Sequence, residues 1–144
     1  MAYATASDFL AAYGADEVLR SADRDGDAVE DAGVVDRAIE DAAAEVDSYL
    51  GQRYTLPLPE PTPASLRRIV LDIALYRLSF RSAERTEEKR LRYEDALRWL
   101  EAVVAGKISL GGVPEPTLSA LAETTADERE WTRDATSSIA GGML

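Results

Sequence analysis

The stretch TPASLRRIVLDIALYRLSFR, residues 62–81, constrains this chain more than any other. Leu66, Ile69, Val70, Ile73, Tyr76, Arg77 and Phe80 recur at three- and four-residue steps, the spacing of one helical face. Leu71, Ala74, Leu75 and Leu78 fill most of the remaining circumference, and a helix apolar nearly all round needs neighbours on several sides. Thr62 is placed to cap it, with Pro63 at the first helical position, where a missing N–H costs nothing. Each fully buried Leu, Ile or Val contributes about 1.5–3 kcal/mol, so most of the core is expected here. Arg67, Arg68, Asp72 and Arg77 interrupt the stretch, which argues against a bilayer span of about 20 mainly apolar residues. The expectation is a central buried helix over residues 62–82.

Two more long helices are expected around it. Over residues 31–53, Val35, Ile39, Ala42, Val46, Tyr49 and Arg53 form a narrow seam suited to close packing. Asp31, Asp36, Glu40, Asp41, Glu45 and Asp47 are assigned to the outside. Over residues 86–105, Thr86 is the cap, and Glu87 and Glu88 suit the positive helix end. Tyr93, Ala96, Leu97, Leu100, Val103 and Val104 form its buried face, and Gly106 ends it. Lys89, Arg90, Arg92 and Arg98 are read as its basic surface. Residues 3–14 read as a short helix capped by Thr5 or Ser7 and stopped by Gly14, and Asp16–Ala22 as another with Val18 and Leu19 inward. Both are too short to stand alone and must dock on the rest. The proline-rich link from Tyr54 to Pro63 cannot be helix or central strand. It is expected to cross the end of the bundle with Leu56 and Leu58 tucked in, in preference to serving as a polyproline ligand.

The fold class is therefore all-α, a small helical bundle, with residues 1–110 as the helical domain. A chain of 144 residues is one domain by length and can bury a core without staples. Residues 111–144 read as an extended or disordered arm, rich in Thr, Ser, Ala, Gly and acids without a sustained period. In that arm Trp131 stands between Arg129 and Arg133, and Trp and Arg dominate binding hot spots. These three residues either anchor another chain or fold back on their own bundle. Ile108 and Leu110, in the short piece Lys107–Gly112, are candidates for an edge that pairs with a partner.

Catalysis is not expected. The chain has no Cys and no His, which removes thiolate chemistry, the commonest general base and the commonest transition-metal ligands. No nucleophile–base pair can be assembled, and no Gly-rich phosphate loop is present, so a hydrolase is the weakest class and no cofactor is expected. The start of the chain lacks the basic and apolar regions of a secretory signal. Asp23, Asp25, Asp27 and Asp31 occupy positions one, three, five and nine of an EF-hand-like loop, where calcium would take oxygens from alternate residues. The match breaks at Ala28, Glu30 and Val34, where that loop needs Gly, an apolar residue and a bidentate Glu. An acidic turn held by Asx-type bonds is the preferred reading, and a weak calcium-binding module the lesser one.

The net charge is −11 and unevenly spread. Residues 1–50 carry thirteen acids against three bases, whereas residues 51–107 carry eleven bases against eight acids. Either the acids are a solvated face, or unlike halves associate head to tail, or an acidic lining lets nucleic acid pass without sticking.

YATASDFLAAYG, SADRDGDAVED, EVDSYLGQRYTLPLP, LRRIVLDIALYRL, RYEDALRWLEAVVAGKISLG and REWTRD follow one another in this order. The chain resembles the small head-to-tail connector proteins of Mu-like phages and prophages over residues 3–112 plus the REWTRD piece. It departs from that family at Ala28, where relatives often carry Gly, which counts against a metal site. The resemblance implies a helical adaptor assembled as a homo-oligomeric ring, commonly of twelve copies. It would sit between the portal protein and the next neck or tail-completion protein, with DNA passing through a channel unbound. It further implies a C-terminal arm reaching along the portal, and a place in the virion neck after assembly in the host cytoplasm, with no membrane involved. The competing class is an acidic helical DNA-mimic inhibitor, motivated by the charge and opposed by the basic middle and the long arm.

Overall fold

A computed structural model of the chain describes residues 2–79 and 85–115. Five helices follow in order: α1 (Ala6–Tyr13), α2 (Ala15–Ala22), α3 (Val34–Leu50), α4 (Ala64–Leu78) and α5 (Glu87–Val104). There is no strand among the described residues. The protein is all-α, a small helical bundle, as its periodicity predicts. The chain divides into two compact units, Met1–Pro114 and Glu115–Leu144, and every described helix belongs to the first.

Helix α4 is buried on several sides, with Leu66, Val70, Leu71, Ile73, Ala74, Leu75 and Leu78 all out of solvent. It does not organise the bundle alone, because α3 and α4 each pack against every other helix. Val35, Ile39, Ala42, Ala43, Val46 and Leu50 form the inner side of α3, and Ala42 and Ala43 let α4 come close. On the other flank Ala96, Leu100 and Val103 of α5 close the core. Phe9, Val18 and Ala22 fasten the α1–α2 pair to it.

The helix ends differ from the periodic reading at both ends of α3 and both ends of α4, which stops at Leu78 where the pattern predicts a helix to residue 82. Helix α3 begins at Val34 rather than Asp31, because Gly33 sits at φ +76° in the left-handed region and breaks the run. It ends at Leu50, so Arg53 lies beyond the helix, and Leu50 rather than Tyr49 completes the buried seam. Helix α4 begins at Ala64 with Pro63 at the cap position, so Thr62 does not cap it. Elsewhere the caps are as read. Thr5 and Asp8 form a reciprocal capping box on α1, and Thr86 accepts from the Lys89 amide at 3.3 Å. Gly14, at φ +84° and ψ +162°, ends α1 and starts α2, a conformation open essentially to glycine alone. In the proline-rich link Tyr54 and Leu58 are buried and Leu56 is half-buried, so the link does lie against the bundle. No helix among the described residues is long and apolar enough to cross a membrane.

Candidate interaction surfaces

Between α2 and α3 the acidic turn closes on its own amides. Asp23 accepts from Gly26 N at 2.6 Å and Ala28 N at 3.0 Å, Asp25 from Asp27 N at 3.1 Å, and Asp27 from Val29 N at 2.8 Å. Asp31 turns back to Arg24 N at 2.8 Å. These are the Asx-type bonds expected of an acidic turn. One oxygen from each of Asp23, Asp25 and Asp27 lies within 4.8 Å of the others, so the three converge as cation ligands would. Asp31 is committed elsewhere, and Val34 is buried in the core at the position where a bidentate ligand would be needed. Ala28 takes φ +64°, the left-handed turn for which that loop normally uses Gly. The Gly26 and Ala28 amides hold the Asp23 carboxyl below the usual range. Asp25 also accepts an amide hydrogen bond, which would lower it, but desolvation and the neighbouring Asp27 and Asp31 charges leave its carboxyl raised.

Four other acids, Glu17, Glu45, Asp47 and Asp72, are drawn in from the surface. Glu17 takes the Lys89 ammonium and the Ser21 hydroxyl, the latter at 3.0 Å. Glu45 receives Tyr93 Oη at 2.9 Å and Arg77 Nη2 at 2.5 Å, while Asp72 receives Tyr13 Oη at 2.7 Å and Arg68 Nε at 3.2 Å. Tyr3 completes the pattern by donating to Asp47. Lys89 is thus not part of a basic surface: its side chain is 10 % exposed and bonded across to α2. Glu45 and Asp47, assigned to the outside of α3, are half-buried for the same reason.

The remaining cations of α5 are spent on their own helix. Arg90 pairs with Glu87 and Glu94, Arg92 with Glu88, and Arg98 with Asp95 at 2.9 Å. By contrast, Asp25, Asp27, Glu30, Asp36, Glu40 and Asp41 are exposed and have no ion pair among the described residues. The acid surplus is a surface property of the turn and α3, whereas the basic middle is largely neutralised in place.

One aromatic feature escaped the periodic reading. Tyr76 of α4 and Tyr93 of α5 stack with ring centroids 4.3 Å apart and planes 10° from parallel. The Arg85 guanidinium lies 5.2 Å from the Tyr76 centroid, and its Nε donates to Ser79 O at 3.0 Å. Helical spacing had placed Tyr76, Arg77 and Tyr93 on buried faces. Both tyrosines are only half-buried and Arg77 is exposed. The signal was the residue type, since Tyr and Arg keep a polar tip in water while their stems pack.

The profile of the family described as "Bacteriophage Mu, Gp36" matches residues 3–128. The chain belongs to the Mu Gp36 family. Among curated relatives it is similar to the "Mu-like prophage FluMu protein gp36" of Haemophilus influenzae, 49% identical over 77 residues. That match covers 54% of this chain and 52% of the relative, so it spans about half the relative's length. It is also similar to "Gene product J" of Escherichia phage Mu, 34% identical over 112 residues and 77% of each chain.

The partner residues expected of this Gp36-family chain are placed unevenly. Leu110 is buried against the core, 1 % exposed, and Ile108 packs half-buried beside it. The segment carrying them is turn and coil, held by Lys107 N and Ile108 N donating to Ala102 O. Leu110 is therefore taken up by the fold itself. Trp131, Arg129 and Arg133 lie outside the described residues.

Proposed function

We propose that the protein is a non-catalytic head-to-tail adaptor that forms a ring beneath the portal and joins it to the next neck or tail-completion protein, leaving a channel for DNA. Membership of the Mu Gp36 family over residues 3–128 is the observation that carries this reading. The all-helical fold is compatible with it. So is the exposed acid surplus, because carboxylates lining or flanking a conduit repel the phosphate backbone. On this reading the protein resides in the neck of the virion and, before assembly, in the host cytoplasm.

The test is to mix the purified chain with its portal ring and measure mass by light scattering, with and without residues 116–144. A larger complex that depends on those residues supports the adaptor and locates its anchor in the Trp131 region. A complex that forms equally well without them keeps the adaptor and moves the contact to the helices. A chain that stays monomeric in both cases and instead competes with DNA for a basic protein overturns the adaptor in favour of DNA mimicry.

A further inference from the structure

We infer that the Arg85–Tyr76–Tyr93 stack is the seat for the Val29 turn of a second copy, forming the contact that repeats around the proposed ring. The stack is preorganised. Tyr76 lies flat on Tyr93, and Arg85 is held over Tyr76 by its bond to Ser79 O. Ordering such side chains in advance lowers the entropy lost on docking. Arg85 has no ion pair among the described residues, whereas Lys89, Arg90, Arg92 and Arg98 of α5 all have one. The platform therefore offers two half-buried aromatic rings beside an exposed guanidinium with no ion pair among the described residues, the composition of a binding hot spot.

The acidic turn supplies the complement. Val29 is 61 % exposed, against 47 % for Leu10 and 44 % for Leu91, the other exposed large apolar side chains among the described residues. Asp27 is fixed beside it by the bond to Val29 N at 2.8 Å, and Glu30 follows on its other side, exposed and unpaired among the described residues. The turn thus presents one apolar knob between two carboxylates. No hydrogen bond, ion pair or ring contact among the described residues joins residues 25–30 to the stack within one chain. Unlike patches on one molecule make a heterologous contact, which closes into a ring when the rotation between copies permits.

The inference rests on the ring reading, and the experiment separates the two. Arg85→Glu and Glu30→Arg are made singly and together in the full chain. Assembly is followed by light scattering, alone and on the portal ring, with circular dichroism confirming helix content. Each single reversal is expected to weaken association between copies by about tenfold or more, and the double reversal to restore it. The Glu30 side chain makes no bond among the described residues, so that variant keeps the test readable should Arg85→Glu disturb the stack. Wild-type rings that survive both single reversals overturn this contact and leave the ring reading standing, as does a double variant without rescue. A wild-type chain that binds the portal only as single copies overturns the ring and this contact together.

Discussion

Glu17 shows how one residue can leave the surface that its helix would give it. Isolated on α2 it would be a solvated acid, but Lys89 arrives from α5 and Ser21 from the next turn, and the group sinks to 18 % exposure. Burial works against its ionisation, yet the Lys89 and Ser21 bonds outweigh it and hold the carboxyl below the usual range. A depressed folded value means stability that is present above the unfolded value of about 4.3 and lost as pH falls through the folded one. Lys89→Ala leaves this acid only Ser21 and the more distant Arg20, 3.6 Å away, and urea unfolding is expected to show a loss of about 1–3 kcal/mol at neutral pH, discounted for these partners and residual exposure. The same variant should also lose part of the wild-type slope of stability below pH 5. Tyr93 shifts the other way: burial first, then its bond to Glu45, pushes the phenol up to about 12. Burial and carboxylate acceptors also raise Tyr3 and Tyr13. A raised value gives stability that is full below pH 10 and lost as pH climbs through the folded value. Tyrosine absorbance is expected to include a late group from Tyr3, Tyr13 and Tyr93 that ionises only well above pH 10. The absence of any such late group would contradict these bonds. None of these pairings was legible in the sequence, because the partners lie 44, 59, 48 and 72 residues apart and periodicity sees only one helix at a time.

Elements were far more legible than pairs. The α4 stretch reveals itself by being apolar all round, and the α5 cap by Thr86 ahead of two acids. The misread start of α3 has a clear cause. Pattern extends a helix for as long as residue types allow, whereas the chain stops where a backbone angle forbids continuation, as at Gly33. Gly106 shows the same control beyond the end of α5. It sits at φ +79°, a backbone conformation that L side chains rarely adopt, and a Cβ there would also push aside the Arg53 guanidinium. Gly106→Ala is accordingly expected to cost about 1–3 kcal/mol and to lower the thermal midpoint followed by circular dichroism. An unchanged midpoint would mean that the backbone at Gly106 does not hold this left-handed conformation. The Lys107–Leu110 segment misled for a related reason. Two apolar residues in a short extended piece fit a partner edge as well as a lid, and only the fold shows that Leu110 closes its own core.

At the scale of the whole molecule, the charge count alone suggested two unlike halves. In the folded protein the cations of α5 are bonded to their own neighbours, and the acids of the turn and α3 remain exposed. Duplex DNA is therefore expected to show no retardation by the chain at 50 mM salt, since about one phosphate per 1.7 Å meets an anionic surface. Retention that weakens with salt would argue against a passive conduit. The long-range bonds carry one more consequence, for synthesis. A ribosome releases α1 and α2 first, yet Asp72 and Lys89, which help to hold them, are made later. At about 5–20 residues per second the 72 residues between Glu17 and Lys89 take roughly 4–14 s to follow. Until then α1 and α2 can rest on α3 and then α4 but lack their tie to α5, so the opening helices wait incompletely held while that last anchor is still being translated.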